Sequence, residues 1–265
     1  MAENTLDDLI NYSHNIGKDL SLVQGPGGNT SVKVDNKVWV KASGKWLANA
    51  QSEKIFCLVA PDNPKKDIIE DSGLKPSIET HFHTMLPMNA IFHVHSIGSL
   101  TWAFRKCGKE YLAEKLPKLL WVGYQKPGKE LAELITTMPY LDADGAILQN
   151  HGMIVWANSL KECYERLLSY EKNLLRLAFD VSTKNECRSI QLEALENSPY
   201  LTPDHAVFMN SKNKAVNVWQ IEALTAIKRA MELIPKTCEI DYLNEESVEA
   251  LINWDEEVYR KRQNE

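Results

Sequence analysis

Residues 81–95 hold four histidines, His81, His83, His93 and His95. Imidazoles this close together invite a metal reading. Residues 90–94 (AIFHV) read as a short apolar β-strand entered from the breaker cluster Pro87-Met88-Asn89. Side chains at i and i+2 of a strand share a face, so His93 and His95 project together and form half of a site for a divalent metal, most often zinc. The plainer alternative is a polar strand face. A third imidazole comes from Gln149-Asn150-His151-Gly152, a tight bend between apolar runs at 146–149 and 153–156. Three imidazoles leave open the coordination position that catalysis needs. The carboxylate candidate is Glu79, at the start of an expected helix over 79–86, where an acid also complements the helix dipole. On that helix His81 and His83 point apart and cannot chelate together. Glu79 and His83, four residues apart, share a face, which lets His83 orient Glu79 or a ligating imidazole.

These residues belong to a longer ordered set: Gly27-Gly28-Asn29-Thr30-Ser31, Lys41-Ala42-Ser43-Gly44, Pro76-Ser77-Ile78-Glu79 with His83, His93-Val94-His95, and Asn150-His151-Gly152. The set resembles the class II aldolase/adducin family, whose enzymes include L-fuculose-1-phosphate and L-rhamnulose-1-phosphate aldolases, over residues 5–181. The resemblance implies an α/β fold of three αβα layers with a central, mainly antiparallel sheet. It implies Zn2+ or another divalent metal on His93, His95 and His151, with Glu79 as the catalytic acid–base. It places the substrate phosphate on Asn29, Ser43, Gly44 and Ser77. Gly28 joins them, because backbone N–H groups in a glycine-rich bend can converge on phosphate oxygens, although such a bend can equally be only a turn. One departure is Ile78, where those aldolases usually carry a second serine; Lys41 and Lys45 could restore positive charge beside the altered pocket. The implied reaction is cleavage of a ketose 1-phosphate to dihydroxyacetone phosphate and an aldehyde. Decarboxylase, dehydratase and 4-epimerase activities are the alternatives, and a glutamate at 79 disfavours the epimerases, which carry aspartate there. A non-enzymatic adducin-like binding module would lack the ligand set retained here. The family's neighbouring-subunit tyrosine has no assignable counterpart, Tyr111 and Tyr124 being candidates, and a homotetramer is the expected assembly.

Composition is consistent with an enzyme of this kind. A chain of 265 residues, 25% charged and 44% hydrophobic, can bury a sizeable core. A net charge of -6 disfavours nucleic acid and anionic membranes as partners. A charged beginning and no run of about 18 apolar residues point to neither secretion nor membrane spanning. Five scattered cysteines without a C-x-x-C pair indicate reduced thiols and a cytoplasmic location.

The supporting elements follow from periodicity. A first helix is expected from a cap at Thr5, with His14 solvated on it; strands at 31–34 and 38–40 flank an Asp35-Asn36 turn, and another strand runs 55–59. A polar loop covers 62–75, helices cover 99–106 and 129–138, and 111–121 is mixed. A capping box at Ser159 starts a helix to about Phe179, with Glu165 and Glu171 as surface charge. One domain is expected, with a motif-bearing core at 1–181 and a helical extension at 182–265 that contains helices 218–233 and 246–262. That extension resembles the one in rhamnulose-phosphate aldolases joined to a dehydrogenase, and no dehydrogenase domain fits in the remaining residues. His205 reads as a surface or interface residue and only weakly as a metal ligand.

Overall fold

A computed structural model describes residues 2–61, 73–196, 198–209 and 217–264. Most of the expected polar loop at 62–75 therefore lies outside the described residues. The chain runs α1 (Ala2–Lys18), β1 (Asn29–Val34), β2 (Lys37–Lys41), β3 (Phe56–Val59), α2 (Thr80–Met85), β4 (Ala90–Val94), α3 (Ile97–Ala103) and α4 (Gly108–Lys115). It continues through β5 (Leu119–Val122), α5 (Lys129–Thr136), β6 (Gly145–Leu148), β7 (Gly152–Ala157) and α6 (Leu160–Ser182). The extension holds α7 (Leu192–Glu196), α8 (Pro203–Phe208), α9 (Val218–Glu232), α10 (Glu245–Ile252) and α11 (Asp255–Arg262).

The strands form one seven-stranded sheet in the order β3-β2-β1-β4-β7-β6-β5. Every pairing is antiparallel except β5 with β6, which α5 connects. The β1–β2 hairpin closes on two residues, Asp35 and Asn36, both at positive φ (48° and 59°). That is the turn whose twist matches paired strands, and Asp and Asn tolerate it better than most side chains. Register does the positioning. Asn29 lies opposite His93 across the β1–β4 pair, and His93 lies opposite Ile154 across β4–β7.

Strand β4 is buried at all five positions, because helices cover both sheet faces. Phe92 and Val94 join Leu9 and Ile16 of α1 and Leu167 and Leu174 of α6 in one core. Ile91, one residue out of phase, joins Phe82 of α2 and Leu131 and Ile135 of α5 in the other. The result is the expected three-layer αβα arrangement about a mainly antiparallel sheet. A third cluster packs Ile97 and Leu100 of α3, with Phe104 just after it, against Leu224, Ile227 and Met231 of α9, so the extension shares apolar burial with the motif-bearing part. No helix among the described residues is long and apolar enough to cross a membrane.

Several local expectations change. Helix α1 begins at Ala2, which puts Thr5 inside it rather than at its cap. The mixed stretch resolves into α4 and β5. The expected helix over 246–262 is two helices: Asn253 ends α10 and Trp254 is extended (ψ 120°), its indole packing beneath the Lys126 ammonium at 4.6 Å. His14 is half-buried and bonds the Ala48 carbonyl through Nδ1 (2.7 Å), so it is not simply solvated. His205 is buried, with Nδ1 accepting from the Leu201 N–H and Nε2 against the Leu195 carbonyl. It is a satisfied core histidine and neither a ligand nor a surface group. Glu171, expected on the surface, is also buried. It accepts from the Ser96 hydroxyl and the Gly98 N–H at the start of α3, and burial pushes its carboxyl up to about 7. Periodicity cannot reveal such a carboxylate, because its partners come from another element.

Candidate active site

His93, in β4, donates Nδ1–H to the Met153 carbonyl of the neighbouring strand (3.0 Å), which leaves Nε2 as its acceptor atom. His95, just past the strand end, brings its own Nε2 to 3.0 Å from that of His93. His151 arrives from the β6–β7 bend, where Asn150 takes a left-handed conformation (φ 55°) and its side chain donates to the Leu201 and Asp241 carbonyls. Gly152 is required there: a Cβ would sit 2.3 Å from the Val94 carbonyl oxygen and push the bend off the strand. The three rings gather with centroids 4.8, 4.9 and 5.1 Å apart, and their ligand atoms lie within 4.8 Å of one another.

Glu79 occupies the N-cap of α2 but makes no cap hydrogen bond with its side chain. Its carboxylate turns inward instead. Oε2 accepts from Asn29 Nδ2 (2.8 Å) and lies 3.5 Å from His93 Nε2, and Oε1 lies 3.4 Å from His151 Nε2. Burial would raise this carboxyl, but the imidazoles and the Asn29 hydrogen bond outweigh it and hold the group down at about 2. His83 does not touch Glu79. It bonds Asn29 Oδ1 through Nε2 and Ser31 Oγ through Nδ1 (2.6 Å), so it orients the carboxylate by way of Asn29.

The donor set fits a divalent cation. Burial lowers His93 to about 4 and His151 to about 3, which keeps both rings neutral with lone pairs available near neutral pH. Glu79 Oε1 is buried without a hydrogen-bond partner, 3.4 Å from His151 Nε2. Three imidazoles and a carboxylate are zinc-type donors.

The positions expected to hold phosphate separate into two groups. Gly28 and Asn29 lie on the imidazole side. Gly28 (φ 63°) lets the chain pass against β4, since a Cβ there would meet the His93 carbonyl at 2.8 Å, and the Asn29 amide is committed to Glu79 and His83. Ser77 Oγ accepts from the Glu79 N–H (3.3 Å). Ser43 lies apart from these, in a cleft of about 390 Å³ with Lys75, Pro76 and Ile78, facing Asp255, Glu256 and Tyr259 of α11. Its Oγ is buried without a partner, while the neighbouring Gly44 (φ 74°) abuts Gln263. Neither tyrosine candidate is among these groups: Tyr111 stacks on Trp102 and Tyr124 packs in the cluster with Trp219 and Phe208.

Lys41 is buried rather than solvated, its ammonium donating to the Pro26 and Lys45 carbonyls at 2.7 Å each. Burial, helped by Arg260, pulls it down to about 7 from 10.5. Between those values the unfolded chain binds more protons than the folded one, so stability rises with pH across the window. Lys41→Met removes that dependence. From pH 7 to pH 10 the stability of the wild type relative to the variant should rise by roughly 3–5 kcal/mol, at about 1.4 kcal/mol per pKa unit. Denaturant melts of both proteins at the two pH values check this, and a constant difference would contradict it.

Two groups near the imidazoles had no signal in the linear sequence. Asp204 Oδ2 lies 3.0 Å from His95 Nδ1, and Arg260 pairs with Asp204. Neither residue shares a spacing pattern with His95.

The chain is similar to known proteins over most of its first two thirds. Residues 7–176 match the family model described as Class II Aldolase and Adducin N-terminal domain. An L-fuculose phosphate aldolase of Methanocaldococcus jannaschii is 30% identical over 156 residues, 55% of this chain and 81% of that protein. A Bacillus subtilis protein named as the uncharacterized oxidoreductase YuxG is 28% identical over 196 residues, 62% of this chain, and the match spans only 28% of that longer protein. Among solved structures, the N-terminal class II aldolase domain of a conserved Thermoplasma acidophilum protein superposes with a TM-score of 0.57 at 27% identity, covering 64% of this chain and 93% of that one. With the family model spanning well over half of the chain, the protein belongs to the class II aldolase and adducin family.

Proposed function

We propose that the protein is a divalent-metal-dependent aldolase that cleaves a ketose 1-phosphate into dihydroxyacetone phosphate and an aldehyde. The observation that carries this reading is the convergence of three buried imidazoles, two of them within 3.5 Å of the Glu79 carboxylate. His93, His95 and His151 would hold Zn2+ or a similar ion, which when bound supplies a Lewis acid at the substrate carbonyl, where negative charge develops as the carbon–carbon bond breaks. Glu79 exchanges a proton with the carbon beside that carbonyl. Asn29 holds Oε2 and leaves Oε1 as the working atom, and the Ser31–His83–Asn29 chain of hydrogen bonds keeps the carboxylate from swinging away. The Ser43 cleft, with Lys75, is proposed for the phosphate, where binding orients the reacting end. A homotetramer in the cytoplasm belongs to the same proposal.

An adducin-like binding module has no use for this donor set. The test is an assay of the zinc-loaded protein on a panel of ketose 1-phosphates and related sugar-acid phosphates. Aldehyde and dihydroxyacetone phosphate in equal amounts are expected. Isomerised, dehydrated or decarboxylated product without aldehyde would replace the aldolase reading by another activity of the family.

A further inference from the structure

We infer that Asp204 and Arg260, both beyond the family-model match at residues 7–176, form a positioning device for His95, with Asp204 accepting Nδ1–H so that Nε2 is presented to the imidazole cluster. The inference rests on the metal reading above for its purpose, though not for its geometry.

The three imidazoles are held differently. His93 is fixed by a backbone carbonyl, and His151 Nδ1 has no hydrogen-bond partner. His95 instead meets a carboxylate through Nδ1, with Asp204 Oδ2 at 3.0 Å. A carboxylate on one nitrogen fixes the ring's orientation and makes the other nitrogen a stronger donor to a cation. Asp204 is itself held. Thr202 caps α8 by accepting from the His205 N–H, which places Asp204 in the first turn of that helix. The Asp204 Oδ1 accepts from Arg260 Nη2, and Oδ2 is left for His95.

Arg260 is fixed from α11 in turn. Its Nε donates to Glu257 Oε2 (2.7 Å) and its Nη2 to Glu257 Oε1 (3.2 Å), while the guanidinium lies over the Phe208 ring at 4.9 Å. Glu257 is fully buried and Arg260 nearly so. Ions taken out of water are costly, and pairs such as this seldom raise stability above that of an apolar replacement. Their geometric effect is the specific one: two carboxylates and one planar fork leave Asp204 a single orientation, toward His95. The last helix of the chain is thereby coupled to a metal ligand more than 160 residues earlier in sequence.

The experiment uses the whole 265-residue chain. Long-range proton–nitrogen NMR on the metal-free chain shows which His95 nitrogen carries hydrogen, and Nδ1 is expected to carry it. A bare Nδ1 with hydrogen only on Nε2 would overturn the inference, whatever the protein does with metals. Cobalt(II) titration then reads the consequence. Asp204→Ala should weaken cobalt binding by about 10–100-fold. Asp204→Asn and Arg260→Gln should weaken it less and shift the visible absorption of the bound cobalt, a change that mere loosening of the tail would not produce. Wild-type affinity and spectrum in all three variants would also overturn it. Cobalt binding by the wild-type chain tests the metal reading separately, and the NMR result stands even if Asp204→Ala fails to fold.

Discussion

In the proposed cleavage of a ketose 1-phosphate, Glu79→Gln should lower kcat/KM by about 10²–10⁴-fold, the usual contribution of a positioned general acid–base. The substitution keeps shape and keeps an oxygen that can accept from Asn29 Nδ2, now 2.8 Å from Oε2. It removes the charge and the ability to take a proton. Metal content should remain near that of the wild type, because the three imidazoles are untouched and His93 keeps its bond to the Met153 carbonyl. The metal-free fold should tolerate the change, since a neutral amide is easier to bury than a carboxylate with an unpaired oxygen. The decisive comparison is steady-state kinetics beside elemental metal analysis on the same preparation. Full activity in the variant would mean that the proton moves through another group, and lost activity with lost metal would make Glu79 a ligand first.

The local sequence marked the centre of this site well and its rim poorly, for a physical reason. His93 and His95 are two apart on a short apolar strand, so the strand period alone places both rings together. His151 stands beside a glycine between two strands, and the close passage at Val94 that demands Gly152 also delivers the imidazole. Helix α2 likewise explains Glu79, although the expected direct contact with His83 is relayed through Asn29, which register sets opposite His93. Long-range partners were illegible. Asp204, Arg260 and Glu171 look like ordinary helix charges, and each acquires its role only when a distant element folds over it. The burial of Lys41 is equally illegible, because nothing local foretells that the Pro26 and Lys45 carbonyls will enclose its ammonium. The broken helix at 253–254 was hidden as well, since Asn and Trp are only weak breakers and a tertiary contact of the indole decides the bend.

His151→Ala should abolish stable metal binding while leaving the stability of the metal-free protein close to that of the wild type. Most buried ligands cannot be tested so cleanly. His93→Ala would strand the Met153 carbonyl and open a hole in the sheet, so a loss of metal there would be confounded with damage to the fold. His151 differs because its Nδ1 is buried with no partner, which means that the metal-free fold pays to desolvate a polar atom and recovers nothing there. Its ring is 4% exposed and sits at the end of a bend already fixed by the Asn150 side chain and by Gly152. Truncation therefore removes one polar atom that has no hydrogen-bond partner and leaves a void, two effects of opposite sign. With two imidazoles left, the cation loses a third of its nitrogen ligands, and zinc affinity should fall by at least about 100-fold. Thermal melts with and without zinc check both halves: the zinc-dependent rise in melting temperature should disappear, and the metal-free melt should stay within a few degrees of the wild type. A variant that retains the zinc-dependent rise would exclude His151 from the ligand set.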